Sequence, residues 1–330
     1  MIQTRLSNSA SGGDREVVLE DVGDIEIGDK IMITATLLDP TESEVVTVSG
    51  VSGNTVSLTS GLVYNHPIND YITCEVSLLS RNIVIRGVKD SETWDDVDAP
   101  TNFIGGRVLV GQTQFGFPGK SASGYNGYGR FNNVQFSHLG QYNKFGEFDP
   151  RHALSYLMAG NVNELMPSEV INCAFHDGFG AGIGVFQTNN LVIRGNTVHK
   201  TIQHSLKIEG HNCVVEDNIF AYAMDYQLYQ TTEVKIDHIF AAVDIMVPAE
   251  NVIFNNNLVV GSDRAGVRFY GQPCSTNATD LHYGNIVRSC QMGLVADTYR
   301  VFFLNCQFLN KNPVLGSKQA ILGHFWGQES

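Results

Sequence analysis

The sequence has little charge, little proline and no long apolar run, and each shortage excludes a class of protein. Only 17% of its 330 residues are charged, and the mixture rich in Ala, Leu, Glu and Lys that long helices need is absent. No stretch of about 18 apolar residues occurs, so membrane insertion by this chain is not expected. No Lys or Arg run stands out against a net charge of -13, so nucleic acid is not an expected partner.

The cysteines and the first residues bear on metal sites and on localisation. The six cysteines show no CxxC spacing, so the sequence predicts neither a zinc site nor a cofactor. Cys274 and Cys290 lie in or near predicted loops and could form a disulfide. The first residues contain no apolar segment of the signal-peptide type, which leaves two expectations: a cytosolic protein, or a mature or excised piece of a secreted one. The glycosylation sequon at Asn277 favours secretion.

What the sequence has in abundance is turn residues and a repeat. Glycine occurs 33 times against 9 prolines. Seven short segments each begin with a turn residue and continue into an apolar strand, with steps of 39, 23, 22, 39, 28 and 21 residues. They begin at Asn133, Asn172, Gly195, Asp217, Asn256, Gly284 and Asn305. A period near 22 is typical of a parallel β-solenoid, and the LxxLxL pattern of leucine-rich repeats is missing. The predicted fold is all-β: a small β segment over 1–80, then a right-handed parallel β-helix over 81–330.

Stacked coils explain why these residue types recur. Each coil of a β-helix lies about 4.8 Å above the last, so residues one repeat apart, such as Val192 and Val214, should be neighbours. Inward positions are then apolar, and turn positions require the left-handed conformation that Asn and Gly tolerate best. Stacked Asn side chains can also hydrogen-bond along the ladder and so satisfy buried polar groups.

The two longest steps predict insertions at 140–168 and 225–248. Insertions in solenoids project from one face, and that face commonly binds a partner. Tyr142, Phe145 and Phe148 in the first insertion are candidate contacts for sugars or proteins. The alternative is that these rings cover the side of the helix or close the end of a coil.

Two long segments carry a family resemblance. VGDIEIGDKIMITATLLDPTESEVVTV, followed by EVSLLSRNIVIRG, resembles the end of the eight-glycine domain of fibrocystin, fibrocystin-L and the related cell-surface hyaluronidases. CAFHDGFGAGIGVFQTNNLVIRGNTVHKTIQHSLKIEG (173–210) resembles the parallel β-helix repeats of fibrocystin and fibrocystin-L. This resemblance, over roughly 15–225, implies an extracellular β-rich module of a large surface protein. FDPRHALSY, with His152 alone, departs from the His-rich run of the hyaluronan-degrading branch and puts hydrolase activity in doubt.

One set of polar residues has the composition of a glycan-cleaving site. The candidate catalytic residues are His138, Asp149, Arg151, His152, His176, Asp177 and His199, and the candidate binding residues include Lys200 and His204. Arg or Lys would neutralise a sugar carboxylate, while His or a carboxylate would serve as acid or base in hydrolysis or elimination. The repeat predicts that His176 stacks on His199 and Asp177 on Lys200. The alternative is that these residues are simply solvated surface.

Metal binding has weaker support in the sequence. Stacked His176 and His199 with Asp177 could approach metal-ligand distance, but no HxH or HExxH spacing accompanies them. The acidic clusters 39–44 and 92–98 could hold calcium through oxygen ligands, although they lack an EF-hand frame.

Two functions follow from the sequence, and a third is weaker. The first is a non-catalytic structural or adhesive glycoprotein module of a surface coat, filament or large surface protein, extracellular or on the cell surface. It would self-associate or bind other extracellular proteins or glycans. The second is a glycan-degrading hydrolase or lyase of the hyaluronidase-like branch. The third is a trimeric β-helix of the phage or bacterial tailspike type, against which the eight-glycine-like segment argues.

Overall fold

The computed structural model describes residues 2–87, 105–115, 123–141, 151–165, 167–225, 240–246, 249–270, 280–297, 301–304, 306–309, 312–316 and 322–323. Within them the regular secondary structure is almost entirely β-strand, with a 3-10 turn at Pro40–Glu42. The strands are β1 (Gln3–Arg5), β2 (Glu16–Val18), β3 (Lys30–Ile33), β4 (Glu44–Ser52), β5 (Thr55–Leu58), β6 (Glu75–Leu78), β7 (Ile83–Arg86), β8 (Val108–Phe115), β9 (Ser123–Asn126), β10 (Arg130–Asn132), β11 (Val134–Ser137), β12 (Leu154–Asn161), β13 (Glu169–Ile171), β14 (Ala174–His176), β15 (Ile183–Asn189), β16 (Val192–Arg194), β17 (Thr197–Ile202), β18 (Leu206–Glu209), β19 (Val214–Glu216), β20 (Ile219–Met224), β21 (Ala241–Met246), β22 (Ile253–Asn255), β23 (Leu258–Tyr270), β24 (Asp280–Tyr283), β25 (Ile286–Asp297), β26 (Val301–Leu304), β27 (Gln307–Leu309), β28 (Asn312–Gly316) and β29 (Leu322–Gly323).

The first six strands form an antiparallel sheet of order β1-β6-β3-β4-β5-β2, which we call the N-terminal domain. Alternating residues of β5 are buried, as in a strand with one face on a core. Leu19, Ile31, Ile33 and Val56 are completely buried in that core. Gly53, in the tight turn between β4 and β5, has φ 57°, which glycine adopts without strain.

From β7 onward the strands pair in parallel, apart from the antiparallel pair β8–β9, and build the coils of a β-helix with three faces. The first face contains β7, β11, β14, β17, β20, the starts of β23 and β25, and β27. The second contains β8, β12, β15, β18, β21, the ends of β23 and β25, and β28. The third contains β10, β13, β16, β19 and β22. Val192 lies opposite Val214, as the repeat predicts, so the expected coil register is confirmed.

The interior of the coils is filled by columns of like residues. On the first face, Phe136, Phe175, Val198 and Phe220 follow one another in register, and each is at most 1% exposed. The rings of Phe136 and Phe175 stack with centroids 4.4 Å apart. Burial of each such side chain contributes about 1.5–3 kcal/mol, so the columns stabilise each coil against the next.

The turn that leads into the first face shows why Asn and Gly recur there. Asn133, Asn172, Gly195, Asp217, Asn256 and Gly284, each at this turn, all have φ between 53° and 69°. Gly195 follows Asn172 one coil later, and a Cβ on Gly195 would lie 2.4 Å from Asn172 Oδ1. Glycine is required at this coil because the asparagine amide of the previous coil occupies that space.

The residue after each of the last four of these turns is an asparagine, and the four side chains form a buried ladder. Asn196 Nδ2 donates to Asn218 Oδ1 at 2.9 Å, Asn218 Nδ2 to Asn257 Oδ1 at 2.9 Å, and Asn257 Nδ2 to Asn285 Oδ1 at 3.2 Å. Each of these amides also donates to a backbone carbonyl of the coil before it. The predicted ladder is therefore present, and it satisfies polar groups that the core would otherwise leave unpaired.

The segments predicted as insertions contain regular coil strands. Strand β12 lies within 140–168 and pairs with β15, and β21 lies within 225–248 and pairs with β18 and β23. Residues 142–150, 166, 226–239 and 247–248 of these segments lie outside the described residues. The extra length of both long steps therefore precedes a strand of the second face.

The N-terminal domain packs on the outside of the first face. Met32, Ala35 and Leu79 join an apolar cluster with side chains that project outward from the coils, namely Ala174, Ile219, Ala221, Leu258 and Val260. This contact buries apolar side chains that would otherwise face water, which favours association of the two parts.

Polar contacts fix the position of the N-terminal domain on the coils. Arg288 Nη2, in β25, donates to Glu75 Oε2 at 2.6 Å and to Thr34 Oγ1 at 3.1 Å. Arg288 is 2% exposed and Glu75 7% exposed. The Ser77 and Thr197 hydroxyls are also hydrogen-bonded to each other. A buried ion pair of this kind requires good geometry, so it favours one docked arrangement.

Candidate functional site

The structure places His176 and His199 side by side on the outside of the first face. His176 ends β14, His199 lies within β17, and the two residues are directly opposite each other, in the predicted register. Asp177 and Lys200 follow at the bend toward the second face, both with left-handed backbone, φ 50° and 54°. The same bend is left-handed at His138, so this corner repeats from coil to coil.

His176 is held by two hydrogen bonds. Its Nδ1 lies 2.9 Å from Asp177 Oδ2, and its Nε2 lies 2.8 Å from Gln135 Nε2. The imidazole therefore donates from Nδ1 to the carboxylate and accepts at Nε2 from the amide. Burial acts to raise the pKa of Asp177, but the hydrogen bond from His176 and the nearby positive charges outweigh burial and hold that pKa well below its ordinary value. This arrangement orients an imidazole, as catalytic sites require.

The surroundings of His199 are closed rather than open. The side chain is 3% exposed, His176 is 5% exposed, and the backbone of Ser43 from the N-terminal domain faces His199. Burial lowers the pKa of His199 to about 4, so the ring is neutral at physiological pH. The histidines on this face therefore lie beneath the N-terminal domain and are not the solvated surface that the sequence offered as the alternative.

Other predicted site residues lie elsewhere or outside the described residues. The His138 ring is 5.7 Å from the Phe179 ring, centroid to centroid, at the same corner. Arg151 Nη1 donates to Gln141 Oε1 at 2.6 Å. Asp149, Tyr142, Phe145, Phe148 and Asn277 lie outside the described residues, so their roles stay predictions. The structure thus brings His176, Asp177, His199 and Lys200 together and leaves His152 and His204 on another face.

A second cluster of titratable groups occupies the outside of the second face. We call it the second-face cluster; it consists of His152, Phe186, His204, Lys207, Asp244 and Arg268. Lys207, Asp244 and Arg268 lie in register on β18, β21 and β23. Arg268 Nε donates to Asp244 Oδ1 at 2.8 Å, and His204 Nδ1 lies 2.9 Å from the Ala241 carbonyl and 3.7 Å from Asp244 Oδ2.

Two further contacts of this cluster involve Phe186. The His152 ring meets the Phe186 ring edge to face at 5.3 Å, and Lys207 Nζ lies 5.6 Å from the centroid of Phe186. Burial, and secondarily the charges of His204 and Lys207, lower the pKa of His152. Burial likewise lowers the pKa of His204. Both imidazoles are therefore neutral hydrogen-bonding groups at physiological pH.

Sequence reasoning missed Lys207, Asp244 and Arg268, although a signal existed. The three residues share one register position, and an alignment of the second-face strands would have stacked them. Asp244 falls in the segment predicted to be an insertion, so it was excluded from any coil position. It is completely buried and ion-paired.

A third polar group, also not predicted, lies at the corner where β20 ends and β23 bends. Asp225 N donates to Asp263 Oδ2 at 2.8 Å, and Arg264 Nε donates to Asp225 Oδ2 at 2.7 Å. Burial, supported by the charges of Asp225 and Asp39, raises the pKa of Asp263 to about 6. A carboxyl group with a raised pKa thus lies beside one paired with a cation.

Possible metal ligands are scattered among the described residues. None of them form a group of three or more His, Cys, Asp or Glu side chains placed to hold a metal ion. In segment 39–44, Asp39 Oδ1 caps the 3-10 turn by accepting from Thr41 N at 2.9 Å, and Glu44 Oε1 lies 2.9 Å from His66 Nε2. Segment 92–98 lies outside the described residues. Asp39 and Glu44 therefore already serve contacts within the N-terminal domain.

Comparison with known proteins agrees with this architecture. The family model of right-handed β-helix regions matches residues 158–280. Fibrocystin-L of Homo sapiens is 31% identical over 284 residues, 82% of this chain and 6% of that protein. Fibrocystin of Canis lupus familiaris is 24% identical over 282 residues, 83% of this chain and 6% of that protein. The chain is fibrocystin-like.

Other similar proteins include one from Dictyostelium discoideum and a solved structure. A G8 domain-containing protein of Dictyostelium discoideum is 28% identical to the fibrocystin-like chain over 222 residues, 66% of this chain and 13% of that protein. The tailspike protein of Pseudomonas phage LKA1 has a TM-score of 0.38 and 13% identity, and covers 98% of this chain and 45% of its own. The fibrocystin-like chain thus spans a small fraction of the curated relatives it matches. No helix among its described residues has the length and hydropathy to cross a membrane.

Proposed function

We propose that this fibrocystin-like chain is a non-catalytic module of a large extracellular or cell-surface protein. Its N-terminal domain and β-helix act as one docked unit that contacts other proteins, a second copy or glycans. The observation that supports a non-catalytic function is the covering of His176 and His199 by the N-terminal domain. A sugar polymer could reach these imidazoles only if the domain left the first face.

The covering contact is too extensive to open for each turnover without a large cost. It combines the apolar cluster around Met32 and Leu79 with the buried ion pair between Glu75 and Arg288. Separation would expose apolar side chains and two charges at once. His176 is then a structural group that Asp177 and Gln135 hold beneath the domain.

A turnover screen tests this function. The purified chain is incubated with hyaluronan, heparan sulfate, pectin and neutral glucans, and polymer length is followed by size-exclusion chromatography, with an active hyaluronidase as positive control. We expect no shortening by the wild-type chain. Depolymerisation that His176→Ala abolishes would contradict the proposal and place a reaction on the first face.

One observation favours a glycan-cleaving enzyme as the second candidate function. Asp263, with its raised pKa, lies beside Asp225, which is paired with Arg264. Glycosidases use a carboxyl group of raised pKa as the acid, beside a second carboxylate that acts as base or nucleophile. In the same screen, shortening that Asp263→Asn removes and His176→Ala leaves intact would select this candidate.

A further inference from the structure

The second-face cluster contains a hydrogen-bonding side chain that has no partner among the described residues. His152 is 7% exposed, and neither of its ring nitrogens makes a hydrogen bond to the residues that the structure describes. A buried polar group without a partner costs about 1–3 kcal/mol, so it is normally paired in the functioning molecule. His152 also lies directly over Gly184, where a Cβ would approach His152 Cγ to 2.9 Å, so the glycine makes room for the ring.

The charges around His152 balance one another. Lys207 Nζ lies 3.1 Å from Glu209 Oε1, and Arg268 is paired with Asp244. The two imidazoles are neutral, so the cluster together with the neighbouring Glu209 has two positive and two negative charges. An anionic ligand would gain no net attraction here, and the chain as a whole has a net charge of -13.

The hydrogen-bonding capacity of the cluster fits hydroxyl groups. A neutral imidazole offers one donor and one acceptor, and a hydroxyl group offers both in return. Phe186 adds an apolar ring beside them, and small-molecule sites typically combine aromatic rings with a few polar groups. Lys207 and Glu209 are partly exposed, with side chains 22% and 27% accessible, so this edge of the second-face cluster faces solvent.

We infer that the second-face cluster binds a neutral sugar ring, with hydroxyls hydrogen-bonded to His152 and the ring beside Phe186. This inference rests on the proposed function as a non-catalytic surface module, and it names the class of ligand. Lys207 and Glu209 form the rim of the site and interact with further hydroxyls. Uronate-containing and sulfated glycans are excluded because they would bring uncompensated negative charge.

The test is binding of the full chain to defined oligosaccharides. The neutral probes are β-glucan, α-mannan and galactan hexasaccharides, and the anionic probes are hyaluronan and heparan sulfate fragments of similar length. His152→Phe keeps a planar ring of similar size but removes both nitrogens. His211→Gln, at a partly exposed histidine on another corner, is the matched control.

We expect at least one neutral probe to bind, with affinity about tenfold weaker in His152→Phe because two hydrogen bonds are lost. Affinity should be unchanged in His211→Gln and between low and high salt. In the wild-type chain, the same probe should shift the imidazole ¹⁵N resonances of His152, a readout that does not depend on the variant folding. Absence of neutral binding, equal affinity in His152→Phe, an unmoved His152 resonance, or salt-sensitive binding of anionic probes alone would each overturn the inference. Depolymerisation of a probe would contradict the proposed function, whereas failure of the wild-type chain to bind any neutral probe, without depolymerisation, contradicts this inference alone.

Discussion

Replacing Glu75 by Gln should weaken the docked unit by removing the negative charge from a buried ion pair. Arg288 would remain 2% exposed, with a hydrogen bond to Thr34 Oγ1 at 3.1 Å but no carboxylate. Removal of one partner of a buried ion pair costs about 3–5 kcal/mol, because the other charge stays buried without compensation. We therefore expect Glu75→Gln to lower the free energy of unfolding by about 3 kcal/mol or more.

Arg288→Met should lower the free energy of unfolding by less than Glu75→Gln does. The difference comes from the other contacts of the Glu75 carboxylate. In Arg288→Met, Glu75 Oε1 still accepts from the Thr73 hydroxyl at 2.6 Å and lies 3.4 Å from Arg5 Nε. Because the carboxylate keeps these contacts, we expect a loss of about 1–3 kcal/mol. The double variant should be more stable than Glu75→Gln alone, since it leaves no buried cation unpaired.

Urea unfolding of the full chain, followed by circular dichroism, measures these differences. Arg130→Gln is the control, because Arg130 and Glu169 form an exposed pair at 2.8 Å, for which about 1 kcal/mol or less is expected. The docking argument fails if Glu75→Gln costs no more than Arg130→Gln, or if Arg288→Met proves the more damaging single change.

Three further predictions concern the ladder and the buried histidine face. Asn218→Ala should destabilise the chain by about 2–4 kcal/mol, since it removes hydrogen bonds to the asparagines of two neighbouring coils. As a control in the same urea assay, Asn8→Ala at an exposed position should change stability by less than about 0.5 kcal/mol. The pKa of His199 is lowered by burial from 6.5 to about 4, so between those pH values the unfolded chain binds more protons and stability falls as pH drops. His199→Gln should reduce that slope by about 1.4 kcal/mol per pH unit, and an unchanged slope would contradict its burial. The pKa of Asp177 is lowered, so the stability that its carboxylate contributes is complete above pH 3.8, its ordinary pKa, and is lost as the pH falls below that value. In a series of unfolding curves at different pH, Asp177→Asn should therefore reduce the dependence of stability on pH only in this acidic range.

The repeat in the sequence predicted the coil register because stacking is local along the solenoid axis. Residues one repeat apart become neighbours, so the opposition of Val192 and Val214 and the pairing of Asn196 with Asn218 could be read from spacing. The left-handed turns were predictable for the same reason, since few residue types tolerate that backbone.

The residue spacing in the sequence could predict only part of the second-face cluster. His204 and Lys207 fall in a regular coil, but Asp244 follows a long step whose length obscures the register. The asparagine ladder crosses that step unbroken, from Asn218 to Asn257, because the turn pattern resumes after it. The strand that contains Asp244 has no such turn residue before it, so its register could not be predicted from the turn spacing.

Alone, the amino-acid sequence determined the parallel β-helix, its coil register and the positions of its turns, because those depend on residues one repeat apart. Only the tertiary structure decided that His176 and His199 lie beneath the N-terminal domain. That contact joins groups such as Glu75 and Arg288, 213 positions apart, and no periodicity links them. The physical reason is that docking depends on the complementary shape and charge of two finished surfaces, which exist only after both parts have folded.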